Sequence, residues 1–563
     1  MSSTHNFAVR WIIISALIVI AYEGIVQSPF VYDDKIEVIG NATIRVLEKW
    51  EYIASYNPAR ILLLFSYAYN FNQSGLDPTL YHQYNIAIQV LSAGAALWTA
   101  ESLGRLAKHP APLFCATLIT SIWALHPMCT ESVTYITGRS ESLCFLFCIT
   151  SIGSWTQALL AQSHPTQGWI WAWRLLGIAL AFCAAMTKEV GLMVPFALLT
   201  LEVLLGTEKT KWAWFLPFMG VLGLGICARL YMVVGNHPEA AGFELLSLTI
   251  PKEADRSLST QLTTQAEVWL RYVSLWVVPI NQTIYHHISD VSLFSLRGAG
   301  AWTGWLGLFG FLWWRTKENK LARFALICAF LFLLPSSSVA PLKESMAEHR
   351  SHQLGFYLIA LCSWQFVKNQ YPLIWLIPSA LMVCGLTHHR NEVWKTEVGI
   401  WKEATERHPN IGEAWYGLGD ALRFADRHQE AEQAFQKCVR LDPNYIEGWN
   451  NLGLVRIQMN DPDGAIVAWE TALRKNPKHC SAHNNLGLLA SRSYRWQAAI
   501  QEFQATLQHC PRNAIAHYSL GSIYYEYIPD KKKAIFHFER LLEIHPSFER
   551  SEEVRSKLLD LTW

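Results

Sequence analysis

Long apolar runs alternate with short polar loops over roughly the first 390 residues of the chain. A helix that spans a membrane needs about 20 mostly apolar residues. Runs that approach this length lie at 11–29, 83–103, 110–127, 141–161, 169–186, 190–206, 212–234, 299–315, 322–340, 353–367 and 371–388. They predict about eleven spans, all of them helical. A shorter stretch, Val268–Ile280, carries Arg271 in its middle and is typical of a re-entrant or interfacial helix.

After residue 390 the pattern becomes charged, amphipathic and periodic, with a repeat of 34 residues. Four positions recur: Trp415, Trp449, His483 and His517; Gly419, Gly453, Gly487 and Gly521; Phe435, Trp469, Phe503 and Phe538; Pro443, Pro477, Pro511 and Pro546. This period and residue order are typical of tetratricopeptide repeats, which stack helix pairs into a solenoid. About four repeats are predicted, with a half repeat at Ile400–Pro409 and a capping helix at Ser551–Leu561.

The chain is therefore predicted to be all-α, with a membrane domain at 1–390 and a repeat domain at 391–563. The repeats either bind a protein segment on a concave surface or act as a spacer. The composition agrees with this division, because 51% hydrophobic and 16% charged residues are unusual for a soluble protein. A net charge of +1 does not indicate nucleic-acid binding. The twelve cysteines show no zinc-ligand spacing, so no metal is predicted.

Basic residues in short loops predict the orientation in the membrane, since such loops stay cytoplasmic. Arg10 precedes the first apolar run, which Glu23 interrupts, and the run is predicted to be an uncleaved first span. The other basic residues of one side are Arg105, Lys108, Lys209, Lys211, Arg315, Lys317, Lys320, Arg323 and Lys368. An odd number of spans then places the repeats on the extracytoplasmic side, next to Asp33 and Asp34.

The outer segments hold most of the unusual polar residues. Asp33 and Asp34 follow the first apolar run, where carboxylates are costly unless they have a function, although a solvated turn explains them equally well. The other candidates are His126, Glu131, Arg139, Lys188, Glu189, Arg229, Arg271, Glu348, His349 and Arg350. Each alone is also explained by an interfacial anchor or a helix cap. Together, basic groups that face acids suit an anionic phosphate and an acid/base pair.

Several short motifs occur in order along the membrane half. They are Tyr32-Asp33-Asp34, Tyr81-His82-x-x-Asn85, His126-Pro127-x-x-Thr130-Glu131-x-Val133-x-x-Ile136-x-Gly138-Arg139-x-Glu141, Thr187-Lys188-Glu189-x-Gly191 and Glu348-His349-Arg350. With the repeats that follow, this order resembles the transmembrane and tetratricopeptide-repeat-containing O-mannosyltransferases of the C-type glycosyltransferase superfamily. The chain departs from that family at Ser351-His352-Gln353, where relatives usually have a tyrosine-rich stretch. Its repeat array is also short, which favours a prokaryotic relative.

The resemblance implies a polyprenyl-phosphate donor that carries one hexose, mannose or a similar sugar, and no cofactor or metal. Asp33 or Asp34 would be the general base, with Glu131 in the catalytic set. The donor phosphate would be held by Arg139, Lys188, Arg229, Arg271 and Arg350. Supporting roles would fall to His126, Glu189, Glu348 and His349.

The implied acceptor is a Ser or Thr hydroxyl of an extracytoplasmic protein held by the repeats, and transfer would invert the anomeric centre. The implied location is a prokaryotic plasma membrane or, alternatively, the endoplasmic reticulum membrane with the repeats in the lumen. Two other functions stay open. One is the same chemistry on a glycolipid, and the other is a non-enzymatic transporter or scaffold with a docking platform.

Overall fold

A computed structural model describes residues 3–162, 169–206, 256–337, 344–545 and 548–562. Within these ranges every regular element is helical, which confirms the all-α prediction. The chain separates into two units, residues 1–400 and 401–563. The predicted span 212–234, with Lys209, Lys211 and Arg229, lies outside the described residues, as does Pro546 of the last repeat.

The first unit begins with one long helix and then alternates long and short ones. Its α-helices are α1 (Ser3–Tyr22), α2 (Trp50–Tyr56), α3 (Ile61–Ser74), α4 (Pro78–Leu106), α5 (Pro112–Ala124), α6 (Thr130–Val133), α7 (Arg139–Ala161), α8 (Ile170–Ala185), α9 (Val194–Leu205), α10 (Leu258–Val277), α11 (Leu296–Arg315), α12 (Lys320–Leu331), α13 (His352–Phe366) and α14 (Ile377–Trp394). Helix α15 (Glu397–Arg407) contains the boundary between the units.

The prediction of eleven spans is not supported. Among the described residues, three helices are long and apolar enough to cross a membrane, at Asn6–Ile25, Pro78–Leu106 and Arg139–Ala161. A fourth would be α5 joined to Pro127–Val133 across a bend of 56°. The run 190–206 divides into a 3-10 turn and α9, whose 12 residues cover only about 18 Å. The number of spans therefore does not indicate the side of the membrane on which the repeats lie.

Helix α4 is central in the first unit and packs against α1, α5 and α7. Small side chains on α4, among them Ala93, Ala96 and Ala100, are fully buried and let the neighbouring backbones approach. Thr99 adds a hydrogen bond from its hydroxyl to the carbonyl of Ile149 at 2.9 Å. This packing fixes the start of α7, which carries the Gly138-Arg139 motif.

The second unit stacks helix pairs, which confirms the predicted tetratricopeptide solenoid. Its α-helices are α16 (Gly412–Phe424), α17 (His428–Leu441), α18 (Ile446–Gln458), α19 (Pro462–Lys475), α20 (Cys480–Arg492), α21 (Trp496–His509), α22 (Ala514–Glu526), α23 (Lys531–Ile544) and α24 (Ser551–Thr562). A Cβ at Gly453 would lie 2.4 Å from the indole nitrogen of Trp469. The recurring glycine therefore makes room for the recurring aromatic ring of the partner helix.

A disulfide joins Cys480, at the start of α20, to Cys510, just after α21. No sequence pattern predicts this disulfide, because the two cysteines are 30 residues apart and no local motif links them. The nine free cysteines of the described ranges are mostly buried, Cys438 among them. A disulfide forms and persists mainly in oxidising compartments, so it bears on the location of this unit.

The contact between α10 and α13 gives a test of packing in the first unit. A Cβ at Gly355 would lie 2.1 Å from the ring of Trp276, whereas a Cβ at Gly307 on α11 meets nothing within 4 Å. We expect Gly355→Ala to destabilise the protein by about 1–3 kcal/mol, because the indole must shift. Gly307→Ala is the matched control and should leave stability unchanged or slightly raised. Thermal unfolding in detergent measures both, and equal melting temperatures would contradict the close packing.

Candidate active site

The loop after α1 presents its two aspartates in different ways. Asp34 is 1% exposed, and its carboxylate accepts the backbone N–H of Val31 at 3.1 Å and of Thr137 at 2.9 Å. Burial raises the pKa of Asp34 to about 7, although both of these hydrogen bonds lower it. The side chain of Asp33 is exposed, and its backbone N–H donates to the hydroxyl of Tyr135 at 2.8 Å. Asp34 thus holds the loop in place through hydrogen bonds, while the side chain of Asp33 is exposed.

Tyr32 begins this turn in the left-handed region, with φ of 50°. This backbone conformation is uncommon for a residue with a large side chain. It accompanies a hydrogen bond from the Tyr32 hydroxyl to the carboxylate of Glu344 at 2.5 Å. Arg350 in turn donates from Nη1 to the backbone carbonyl of Glu344 at 2.7 Å. The aspartate loop and the Glu348-His349-Arg350 motif therefore meet at Glu344.

Glu131 is buried and holds His349 at two points. Its Oε1 lies 2.6 Å from Nδ1 of His349, and its Oε2 accepts the backbone N–H of His349 at 3.1 Å. His349 keeps 19% of its side chain exposed. Glu131 therefore orients the imidazole and fixes the turn that carries Arg350, so it acts through other groups.

Glu348 points in another direction, toward the segment after α10. Its carboxylate accepts the backbone N–H of Thr283 at 2.8 Å and the amide of Gln282 at 3.0 Å, and it lies 3.0 Å from Nε2 of His286. Burial acts to raise the pKa of Glu348, but the interactions with His286, Arg390 and the backbone N–H of Thr283 together lower it. Glu348 is thus fully engaged in holding the segment 282–286.

Two further ion pairs lie at the same end of the unit. Lys188 is buried and binds Glu141 at 2.8 Å, with the hydroxyl of Ser140 at 3.3 Å. Glu189 pairs with Arg60 at 3.2 Å. The Lys188-Glu189 motif therefore joins two separate carboxylate–cation pairs, one buried and one partly exposed.

Arg139, a predicted phosphate ligand, is fully buried. Its guanidinium donates to the side chains of Asn85 at 2.6 Å and Asn70 at 2.7 Å, and to the carbonyl of Tyr81 at 2.9 Å. It also lies 5.0 Å from the ring centre of Tyr67. The structure therefore places Arg139 as a link between α3, α4 and α7, engaged with protein oxygens.

The remaining predicted residues are spread out. His126 stacks on Trp276 at 4.5 Å, and its Nδ1 accepts the backbone N–H of Met128 at 3.2 Å. Arg271 lies on α10, is 44% exposed and binds Glu267 at 2.7 Å one turn away. Arg229 lies outside the described residues. Within the described ranges, no hydrogen bond or ion pair joins Arg271 to the aspartate loop, so the loop and Arg350 form the core of the candidate site.

Sequence reasoning missed three residues of this core. Glu344 precedes Glu348 by four residues, and Tyr135 stands at an unassigned position within the His126–Glu141 motif. His286 is the first of two adjacent histidines in an outer segment. For Glu344 and Tyr135 the sequence signal was a polar side chain close to a recognised motif, and for His286 it was the histidine pair; both signals are weak.

Comparisons with known proteins agree with the two-unit organisation. Two family models, both described as tetratricopeptide repeat, match residues 412–445 and 450–508. Among solved structures, the crystal structure of MamA is similar over 27% of this chain and 89% of its own, with 24% identity and a TM-score of 0.25. Stacks of such repeats commonly present a binding surface for proteins.

Curated relatives extend the similarity into the first unit. Protein O-mannosyl-transferase TMTC3 of Mus musculus is 23% identical over 69% of this chain and 43% of its own length. Protein O-mannosyl-transferase F38B6.6 of Caenorhabditis elegans is 22% identical over 77% of this chain and 62% of its own length. The chain thus spans less than two thirds of either relative. Together with the motif order and the repeats, these similarities support the resemblance of the chain to the transmembrane and tetratricopeptide-repeat-containing O-mannosyltransferases.

Proposed function

We propose that this protein is a membrane glycosyltransferase that moves a hexose, mannose or a similar sugar, from a polyprenyl phosphate to Ser or Thr hydroxyls of extracytoplasmic proteins. The observation that carries the proposal is that the loop bearing the exposed Asp33 and the motif bearing Arg350 both contact Glu344. Both are positioned around Glu344, the first through Tyr32 and the second directly. A base beside a phosphate-binding cation is what transfer from a sugar phosphate requires.

In the proposed reaction Asp33 accepts the proton of the acceptor hydroxyl. The oxygen forms a bond to the anomeric carbon while the bond from that carbon to the phosphate oxygen breaks. The polyprenyl phosphate leaves with the bonding electrons, and the planar guanidinium of Arg350 stabilises its charge. A single displacement inverts the anomeric centre. No nucleotide site is needed, because the sugar arrives on a lipid.

The other residues take positioning roles in this proposal. Asp34 holds the loop through Val31 and Thr137, and Glu131 holds His349 beside Arg350. Lys188 stays paired with Glu141 and adds positive charge at the same end of the unit. Arg139 organises the helices beneath, and Glu348 keeps the segment 282–286 in place. The C-type glycosyltransferase fold is part of the proposal as well.

The repeats are proposed to hold the acceptor protein on the extracytoplasmic side. The Cys480–Cys510 disulfide supports that side, because the cytosol keeps thiols reduced. The membrane would be a prokaryotic plasma membrane or the endoplasmic reticulum membrane with the repeats in the lumen. Repeats that capture the acceptor raise its effective concentration at the sugar. This arrangement favours a protein acceptor over a glycolipid.

Replacing each aspartate by asparagine separates the base from its support. Asp33→Asn should lower transfer about 100-fold or more while the melting temperature stays unchanged, because the side chain is exposed. Asp34→Asn should lower the melting temperature, since its amide nitrogen would face a backbone N–H of Val31 or Thr137. Transfer assays and thermal unfolding on both variants measure this. Full transfer by Asp33→Asn would refute Asp33 as the base.

The pH dependence of stability is an independent test of the burial of Asp34. Its pKa is about 7 in the fold against 3.8 as the ordinary value, so the folded state keeps a proton that the unfolded state has released. Stability should therefore fall as pH rises through this window, and Asp34→Asn should flatten that part of the curve. A curve of the same shape in both proteins would contradict the burial of Asp34.

Arg350 and Arg271 form a matched pair for testing the donor site. Arg350→Lys should weaken binding of a short-chain polyprenyl-phosphate mannose about tenfold, because an ammonium cannot make the forked contact with phosphate oxygens. Arg271→Lys makes the same chemical change on a residue that is paired with Glu267, and it should leave affinity unchanged. Unchanged affinity in Arg350→Lys would remove Arg350 from the donor site.

The side of the repeats can be tested through the disulfide. In sealed, right-side-out vesicles a membrane-impermeant reductant should open Cys480–Cys510 and expose two thiols to an impermeant maleimide. The variant in which both cysteines are serine is the control and should gain no label. Cys438 is buried and is therefore unsuitable as a labelling site. Labelling only in inverted vesicles would place the repeats in the cytoplasm, and labelling without reduction would show that the disulfide is not formed.

A further inference from the structure

A cavity of about 690 Å³ opens in the first unit, away from the aspartate loop. Three interhelical connections form it: 107–110 between α4 and α5, 314–321 between α11 and α12, and the residues around Lys368 after α13. Leu205, at the end of α9, completes the lining. Its walls therefore come from four places far apart in the sequence, and only the packed helices bring them together.

The lining is strongly basic. Its cationic and titratable basic members are Lys108, His109, Arg315, Lys317, Lys320 and Lys368. The one acid in the lining is Glu318, which is 89% exposed and lies 3.8 Å from Lys317. Within the described ranges, the side-chain ammonium groups of Lys108, Lys320 and Lys368 make no hydrogen bond and no ion pair. Among the described residues, positive charge is thus concentrated around one cavity whose lining holds a single acid.

Lys320 lies at an electrostatically unfavourable position. It stands in the first turn of α12, where the helix dipole disfavours a cation. Lys368 lies close enough to His109 to lower the pKa of that imidazole, although burial is the larger cause. An anion bound in the cavity would relieve both of these unfavourable interactions. The electrostatics therefore indicate an anionic ligand.

The position of the cavity indicates which anion. Helix α4 begins near the aspartate loop, where His82 contacts the carbonyl of Ser28, and it ends beside the cavity. Its 29 residues cover about 43 Å, which matches a bilayer with its headgroup regions. The cavity thus lies at the headgroup level of the opposite membrane face. Exposed aromatic side chains flank it, as is typical of that level, namely Trp313, Trp314, Phe366 and Tyr371.

We propose that this basic cavity binds the phosphate headgroup of an anionic phospholipid in the leaflet opposite to the candidate active site. Lysine ammonium groups on flexible stems suit a mobile phosphodiester, which needs charge more than fixed geometry. The flanking aromatic rings would contact the glycerol and the upper acyl chains. A free phosphate shares the charge chemistry but gains nothing from the aromatic flank. The proposal does not depend on the transferase reaction.

The test compares lipid binding by the full-length purified protein and two triple variants. Lys108→Gln with Lys320→Gln and Lys368→Gln removes the unpaired charges of the cavity. Lys402→Gln with Lys478→Gln and Lys532→Gln removes three exposed charges of the repeats and is the matched control. The probe is dioctanoyl phosphatidylglycerol, titrated against the melting temperature in detergent and followed by native mass spectrometry.

We expect phosphatidylglycerol to bind the natural protein and the control equally, and the cavity variant about 100-fold more weakly, since each lysine near an anionic headgroup contributes about fivefold. Dioctanoyl phosphatidylcholine and inorganic phosphate should produce no comparable shift. Equal binding by the cavity variant would overturn the proposal. An equal response to inorganic phosphate would overturn the lipid assignment. If the triple variant fails to fold, Lys368→Glu alone should reduce binding in proportion, and unchanged binding would again overturn the proposal.

Discussion

The structure depends on one constraint, which is that a charge removed from water must be paired. In the first unit Arg10 binds Glu101, Arg174 binds Glu202 at 3.2 Å, and Lys188 binds Glu141 at 2.8 Å. Isolated charges would be very costly in an apolar surrounding, so each pair holds together the helices that carry its two members. The pairs also cross between elements: Lys188 follows α8 and Glu141 lies on α7. Electrostatics therefore specifies which helices meet.

Arg139 shows the same constraint met without a carboxylate. Its guanidinium is satisfied by amide and carbonyl oxygens of Asn85, Asn70 and Tyr81. Asn85 also donates to the carbonyl of Val133 at 3.0 Å, so the network extends into the segment that leads to Thr137. Thr137 in turn binds Asp34. A chain of satisfied polar groups thus supports the loop that presents Asp33.

The two ends of the first unit differ in kind. At the end of the aspartate loop, acids and bases are matched, and the exposed groups that remain are suited to chemistry on a sugar phosphate. At the other end, basic groups line a cavity with little acid beside them. Matched charges fix a geometry, which a reaction needs. Unmatched charges attract a counter-ion, which a membrane surface supplies. The proposed active site relies on the matched charges, and the proposed lipid site relies on the unmatched ones.

The sequence by itself determined the helical class, the change of character near residue 390 and the repeats. Local periodicity and composition carry this information, because a period of 34 with glycine opposite an aromatic ring is typical of tetratricopeptide helix pairs. The sequence also indicated Asp33, Asp34 and Glu348-His349-Arg350 as candidate site motifs. Its eleven spans are not supported by the described residues, because hydropathy does not show where a helix breaks, as before Val194.

Only the tertiary structure decided which polar residues face outward and which are engaged inside. Asp33 and Asp34 are neighbours of the same type, and their difference arises because Thr137, more than 100 residues later, donates a hydrogen bond to one of them. Arg139 and Arg350 both look like phosphate ligands in the sequence, yet Arg139 is enclosed by helices that meet around it. The Cys480–Cys510 disulfide and the basic cavity likewise depend on distant segments. Burial and partner choice are properties of packing, and a local pattern does not contain them.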